Sequence, residues 1–488
     1  MKLVDSNQMK KEDKEASEKY GIPPILLMEN AAAQSVKIID EEISIRGKRI
    51  LIVCGGGNNG GDGLAMTRHL DNRGYDVTIL KLFDENKMTE SAATNFNIIK
   101  RMKINVVEYS DFKNYDIIID CILGIGLKGD VRGDIAEVIE EINLSGKTVV
   151  SIDVPSGIDA DSRKVCKTAV KADYTITMGY CKTGLCTGEG LVYSGKVIVA
   201  DISLPRNEDA RYFFTDSELL ENWLPEKNLA ANKGNNGTVL IMAGSVGMTG
   251  AAYLACAGAM RAGAGIVKLA IPENLNMIME VKLTEAITLP LKCKNFFDEN
   301  SADKILEFAK NADVLAIGPG LGRDEQTVKA VHKIIKNTDI PIVIDADGIY
   351  AVSENINVLR EANVPLILTP HPGEFSRLTG KEIGEINDNR IAIASGFAKE
   401  YGVTLLLKGA GTVVALPDGE VYINPTGNEG MAKGGSGDVL TGIIAALWAR
   451  GTENPAVAGA YIHGKAGDTA AMESGIMQML PTDLLKYI

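Results

Sequence analysis

Histidine is scarce in this 488-residue chain: four residues, at 69, 332, 371 and 463, too few and too scattered for a His-rich metal centre. Cysteine forms no CxxC pair, and the count is odd: Cys54, Cys121, Cys166, Cys181, Cys186, Cys256 and Cys293. In a chain of this size that excludes a disulfide framework or zinc site as an organising feature. Positive charge is also short, with 51 Lys and Arg against 64 Asp and Glu, a net charge of −13. The balance disfavours non-specific binding to nucleic acid or anionic membranes, while leaving room for a local basic site. No uninterrupted apolar run is long enough to span a bilayer. The opening residues, MKLVDSNQMKKEDKEASEKYG, are charged and lack the apolar core of a signal peptide. A cytoplasmic protein with neither nucleic-acid nor membrane partners is expected.

What is present is soluble and globular in composition, with 45% hydrophobic and 24% charged residues, and long enough for two or three domains. The most organised stretch is Asn424 to Gly442, NPTGNEGMAKGGSGDVLTG. After Gly434-Gly435-Ser436-Gly437-Asp438, residues Val439, Leu440, Ile443, Ile444 and Leu447 recur at the spacing of one helix face. A flexible loop therefore enters a helix N-terminus, whose unpaired N–H groups and dipole suit a phosphate. Asp438 at that junction would be repelled by a bound phosphate unless chemistry requires it, as a base acting on a phosphoryl-accepting hydroxyl does. The plainer alternative is a Gly-rich turn with Asp as helix cap.

In the first half, a helix is expected over 25–39, after Pro23-Pro24. Ile50 to Val53 reads as a strand buried on both faces, followed by a loop from Gly55 to Gly63 and a helix from Leu64. This is anion-binding geometry, but it is neither a Walker loop nor a dinucleotide GxGxxG. Asn58, Asn59 and Asp62 make the loop more polar than backbone cradling needs, although Asx turns would explain them too. Further strands are expected at 76–83, 104–109, 115–120 and 147–153, with a helix over 89–102. Two of these strands end in Asp120 and Asp153. Ligands of open α/β sheets lie beyond carboxyl strand ends, so Asn59, Asp120 and Asp153 are expected to converge. ADYTITMG and KVIVADI close the same sheet, and the boundary falls near Arg206-Asn207-Glu208-Asp209, giving domains 1–208 and 209–488.

GGGNNGGDGLAMTRHL, DCILGIGLKGD and SIDVPSGIDAD together resemble the NAD(P)H-hydrate epimerase family. The resemblance implies a Rossmann-like αβα domain that interconverts the R and S forms of hydrated NAD(P)H and binds potassium. By position, it places Asn58, Asn59, Gly60, Gly61, Asp62, Gly124, Ile125, Gly126, Leu127, Lys128, Gly129, Asp130 and Asp153 against substrate. Potassium falls to Asn59, Asp120 and Ser156, and Asp153 is the acid/base.

The second half repeats apolar strands ending in Gly or Asp turns: GTVLIMAGS, ADVLAIGPGLG, PIVIDADGIY, PLILTPHPGEF and VTLLLKGAGT. A second α/β domain with its own parallel strands follows. Its candidates lie at strand ends or in the loops after them: Gly322, Asp345, His371, Glu374, Lys408, Thr412 and Asp438. His371 is held between two prolines, and Lys408 with GAGT after it suits a nucleotide phosphate or a solvated turn. His69, His332 and His463 fall in helical stretches and read as packing or surface residues.

GPGLG, TPHPGE, LKGAGT and NEGMAKGGSGDVLTG resemble the ADP/ATP-dependent NAD(P)H-hydrate dehydratases of the ribokinase-like superfamily. The resemblance implies a ribokinase-like αβα domain that phosphorylates the ring hydroxyl of the S hydrate and eliminates it, using ADP or ATP with magnesium. Ala251, Gly322, His371 and Asp438 would bind the hydrate; Lys408, Gly409, Ala410, Gly411, Thr412 and Gly437 would bind the nucleotide. Asp438 would activate the hydroxyl. The substrates implied are NADHX and NADPHX, and the reading leaves room for a homo-oligomer. Two alternatives stay open: a ribokinase-like kinase for a vitamin precursor or sugar, with a regulatory N-terminal half, and a non-enzymatic nucleotide-binding module in that half.

Overall fold

Strand-forming runs that are apolar on both faces, separated by amphipathic segments, can bury themselves only in parallel sheets covered by helices. The computed structural model describes residues 2–205, 211–225, 233–293 and 295–488, and the chain divides into two compact units, Met1–Tyr212 and Phe213–Ile488. The boundary expected at Arg206–Asp209 lies outside the described residues.

The first unit begins with β1 (Lys2–Val4), α1 (Ser6–Glu18) and α2 (Pro24–Glu42). Alternation then follows: β2 (Arg49–Cys54), α3 (Asn58–Asn72), β3 (Asp76–Lys81), α4 (Glu90–Met102), β4 (Val106–Val107) and β5 (Ile117–Cys121). It closes with α5 (Asp134–Leu144), β6 (Thr148–Ile152), β7 (Tyr174–Met178), β8 (Cys181–Lys182), α6 (Gly188–Tyr193) and β9 (Lys196–Ala200). Seven strands form a sheet in the order β4-β3-β2-β5-β6-β7-β9, and every pairing is parallel. One face is covered by α2, α3 and α4 through Val36, Ile39, Leu64, Met66, Phe96 and Ile99, the other by α5 through Ile139 and Ile142. The expected Rossmann-like three-layer arrangement is therefore present. Outside this sheet, β1 pairs in parallel with β8, Leu3 opposite Cys181 and Val4 opposite Lys182.

One expectation needs correction. The segment read as a loop from Gly55 to Gly63 turns helical at Asn58, so Asn58 to Asp62 form the first turns of α3. The glycines there serve close approach rather than flexibility. A Cβ on Gly60 would sit 1.7 Å from the Gly55 carbonyl oxygen, and one on Gly63 would sit 2.8 Å from Cys121.

After a short strand β10 (Tyr212–Phe214) and α7 (Ser217–Trp223), the second unit runs through β11 (Thr238–Met242), α8 (Thr249–Arg261), β12 (Ile266–Pro272), α9 (Asn276–Lys282) and β13 (Ile287–Leu291). Next come α10 (Glu299–Ala309), β14 (Val314–Ile317), α11 (Glu325–Asn337), β15 (Ile342–Ile344), α12 (Asp347–Glu354), β16 (Leu366–Leu368) and α13 (Pro372–Thr379). The rest is α14 (Ile383–Asp388), α15 (Arg390–Tyr401), β17 (Thr404–Leu407), β18 (Thr412–Ala415), β19 (Val421–Asn424), α16 (Ser436–Ala449), α17 (Pro455–Ser474) and α18 (Pro481–Leu484). Strands pair in the order β13-β12-β11-β14-β15-β16-β17-β18-β19. The expected parallel run holds as far as β17, whereas β18 and β19 are antiparallel. The KGAGT segment is thus a hairpin turn between β17 and β18. Helices α8, α16 and α17 cover one face through Ala252, Ala255, Val439, Ile443 and Val457. Buried Leu240 and Met242 point to the other face, where α10 touches β11 and α15 touches β17.

Candidate active sites

In the first unit, a cavity of about 1020 Å³ opens beyond the carboxyl ends of β2, β5 and β6. Asn58, Asn59, Asp62, Gly124, Ile125, Gly126, Leu127, Lys128 and Asp153 line it; Gly60, Gly61, Gly129 and Asp130 do not. Gly61 is turned inward, a Cβ there meeting the Met28 side chain at 2.6 Å, and Asp130 faces Arg132 at 3.6 Å. Asp153 and Asn59 do converge. A Cβ on Gly124 would lie 3.2 Å from Asp153 Oδ2 and 3.3 Å from Asn59 Cβ, so glycine leaves both side chains uncrowded at that passage. Asp153 itself sits at φ +67°, left-handed backbone that is uncommon outside glycine and that Asp tolerates better than most residues.

Asp120 departs from the expected convergence, because it lies behind the cavity wall, fully buried. Its Oδ1 accepts from Ser156 Oγ at 2.5 Å and Ile122 N at 3.2 Å; its Oδ2 accepts from Ser151 Oγ at 2.8 Å and Ser156 N at 2.9 Å. Burial raises its pKa, and these hydrogen bonds oppose the rise. Beside it, Asn59 Nδ2 donates to the Leu123 carbonyl at 2.8 Å, while buried Asn59 Oδ1 has no hydrogen-bond partner among the described residues. A buried acceptor left unpaired calls for an explanation, and a cation or ligand donor supplies one.

Two cavity residues escaped the sequence reading. Lys182 on β8 is buried, with Nζ 2.6 Å from Asp153 Oδ1, and Asp13 reaches the cavity from α1. Burial pushes Asp13 up to about 6, with Lys182 opposing and Asp153 adding to the rise. Asp62 is pushed well above the carboxylate range, first by burial and then by Asp153.

In the second unit, Asp438 occupies the third position of α16, where the first N–H groups lack intrahelical partners. Gly435 before it has φ +105°, a turn conformation that favours glycine. Burial, then Asp345, push the Asp438 carboxyl up to about 7, and Lys408 opposes them. Asp345, 1% exposed, accepts from Thr369 Oγ1, Lys408 Nζ and Thr441 Oγ1, each at 2.8 Å. Lys408 also faces Glu374 at 3.9 Å. Burial lowers the Lys408 pKa, but Asp345 and Glu374 outweigh it and the net shift is upward. A Cβ on Gly437 would come within 3.2 Å of Lys408 Nζ, which places the ammonium against the glycine loop.

Gly322 N donates to Asp347 Oδ2 at 2.9 Å, and both Asp347 and Glu374 act on Asp438 electrostatically. Ala251 lies in the first turn of α8, next to the Gly320 turn. Gly409, Ala410 and Gly411 form the hairpin turn beside Lys408, and Thr412 Oγ1 donates to the Gly409 carbonyl at 2.9 Å. His371 is also the N-cap of α13. Its Nδ1 accepts from Gly373 N at 3.0 Å and Glu374 N at 3.3 Å, so the ring carries its proton on Nε2. One support was missed: buried Arg390 donates to the Leu407 and Lys408 carbonyls at 2.8 and 3.0 Å. His463, read as a packing or surface residue, lies beside the Ser436 backbone. Burial pulls His463 down to about 4, so it is a neutral packing residue under the glycine loop.

Residues 239–488 match the family model for NAD(P)H-hydrate dehydratase, and residues 25–184 that for the YjeF-related protein N-terminus. The bifunctional NAD(P)H-hydrate repair enzyme Nnr of Moorella thermoacetica is 42% identical, covering 100% of this chain and 96% of its own. That of Thermofilum pendens is 36% identical, covering 100% and 95%. A crystal structure of an ADP/ATP-dependent NAD(P)H-hydrate dehydratase from Bacillus subtilis, co-crystallised with ATP and Mg2+, is 34% identical with a TM-score of 0.49, over 56% of this chain and 95% of that one. The chain belongs to the family of bifunctional NAD(P)H-hydrate repair enzymes.

Proposed function

We propose that this protein repairs hydrated NADH and NADPH, interconverting the R and S hydrates in its first unit and dehydrating the S hydrate in its second. The observation that carries the reading is the presence of two separately built strand-end sites on a chain that spans nearly the full length of its bifunctional relatives. The kinase alternative is not favoured, because it leaves the first cavity and its Asp153–Lys182 pair without a role.

In the second unit Asp438 takes the proton of the ring hydroxyl as that oxygen attacks the terminal phosphoryl group of ADP or ATP. A carboxyl held at about 7 is matched to this task at neutral pH. The first-turn N–H groups at Gly437 and Asp438 and the Lys408 ammonium stabilise charge on the transferred phosphoryl. Elimination then breaks the carbon–oxygen bond, and loss of a ring proton restores the dihydronicotinamide. Magnesium neutralises phosphate charge when bound. Among the described residues no group of three or more His, Cys, Asp or Glu is placed to hold a metal, which fits an ion carried mainly by the nucleotide phosphates.

In the first unit Asp153 takes the hydroxyl proton of the hydrate as the carbon–nitrogen bond opens to an aldehyde, the ring nitrogen keeping the bond's electron pair. The nitrogen then re-adds to the other face of the carbonyl, and Asp153 returns the proton to the oxygen. Potassium suits the unpaired Asn59 Oδ1 and the nearby Ser156 hydroxyl, with Asp120 supplying negative charge behind them. A bound cation there would fix the loop carrying Leu123 and Gly124. Asp438→Ala is expected to abolish nucleotide-dependent dehydration and leave epimerisation intact; wild-type dehydration by this variant would refute the assignment. Among the described residues no helix is long and apolar enough to cross a membrane.

A further inference from the structure

The cavity of the first unit contains a cation that none of its glycine motifs announces. Lys182 is 1% exposed, its Nζ lies 2.6 Å from Asp153 Oδ1, and it donates to the Met178 carbonyl at 2.8 Å. A buried ammonium is costly unless paired, so such a group is kept where the pairing does something. Its partner is the one carboxylate that the epimerase reading makes the proton carrier. The lysine is fixed from behind as well. Val4 of β1 pairs with Lys182, Leu3 and Val4 are buried, and Ser6 N at the start of α1 donates to Asp161 Oδ1 at 2.7 Å. Asp153 is equally constrained, with left-handed backbone and its N–H donated to the Ile176 carbonyl at 2.7 Å. One carboxylate oxygen is thus held on Lys182, and the other faces the Gly124 passage into the cavity. Asp13 and Asp62, the other cavity carboxyls acted on by Lys182, are both pushed towards the neutral acid form, chiefly by burial.

We propose that Lys182 is a positioning residue for epimerisation, fixing Asp153 Oδ1 so that Oδ2 is presented to the hydroxyl of the hydrate. The proposal rests on the epimerase reading of the same cavity. Lysine at this position acts through Asp153 and not on the substrate, which makes the two residues one functional unit.

The test follows R-to-S interconversion by the full chain, without nucleotide, for wild type, Lys182→Met, Asp153→Asn and the double variant. Lys182→Met is expected to lower kcat roughly 100-fold or more, with KM within about threefold of wild type. Because the lysine acts through the aspartate, the double variant is expected within about threefold of Asp153→Asn alone. Dehydration of pure S hydrate serves as the internal control and stays at the wild-type rate in all three. Lys182→Met at full epimerase rate, a loss confined to KM, or losses that multiply in the double variant would each overturn the proposal. Should Lys182→Met alone fail to fold, the charge-neutral double variant decides: equality with Asp153→Asn supports the proposal, and a further large loss overturns it. A wild type that does not interconvert the hydrates sinks the epimerase reading itself, before Lys182 is at issue.

Discussion

Asp438 and Asp345 show how two carboxylates beside one glycine loop take different parts: a Cβ on Gly437 would lie 3.7 Å from Asp345 Oδ2. Asp345 is saturated by two threonine hydroxyls and the Lys408 ammonium, so it is an anchor. Asp438, half-buried and pushed up to about 7, is the carboxyl we propose moves a proton. A base works in its deprotonated form, so kcat for dehydration should rise as pH rises through about 7 and then level off. Asp438→Asn should lower that kcat by roughly 100-fold to 10,000-fold. Lys408→Met should act in two ways. It leaves buried Asp345 short of its cation, costing about 3 kcal/mol of stability in denaturant unfolding. It also removes the charge that opposes the upward shift of Asp438, so the acid limb of the pH–rate profile should move to higher pH. At this scale Asp438, Lys408 and Asp153 were legible because each ends a strand or opens a helix beside glycines. Lys182 was not, since its partner, Asp153, lies 29 positions earlier in the chain and only the fold brings the two together.

Elements explain which glycines bind and which pack. Helices α8 and α16 lie so close that a Cβ on Gly442 would come within 2.0 Å of the Ala255 carbonyl oxygen and 2.7 Å of Ala259 N. Gly442→Ala should therefore cost about 1–3 kcal/mol or more, read from denaturant midpoints. Gly434→Ala meets nothing within 4 Å, so its stability should stay within about 0.5 kcal/mol of wild type, while nucleotide-dependent turnover falls because the new methyl enters the phosphate path. Equal stability losses in the two variants would contradict this division. Strand and helix order were readable from periodicity. The early start of α3 was not, because Asn, Gly and Asp favour turns by propensity and only the close packing on Cys121 and Met28 makes them helical. The antiparallel β17–β18 hairpin was hidden for a similar reason: GAGT suits a ligand loop and a hairpin turn equally well.

At the scale of the whole molecule, each unit carries its own run of parallel strands, core and strand-end site, and the two motif sets of the sequence fall one in each unit. A dehydratase that accepts one epimer leaves the other to accumulate, so an epimerase on the same chain completes the repair. Asp153→Asn should leave the second site intact, and its reaction on a mixed hydrate should halt once the S form is gone. The most direct test follows regenerated NADH absorbance when the protein meets a mixture of R and S hydrates, with and without ADP or ATP. Complete conversion of both epimers, dependent on a nucleotide, is the predicted result. Conversion that stops at the S fraction in the wild type, or no conversion with either nucleotide, would contradict the account.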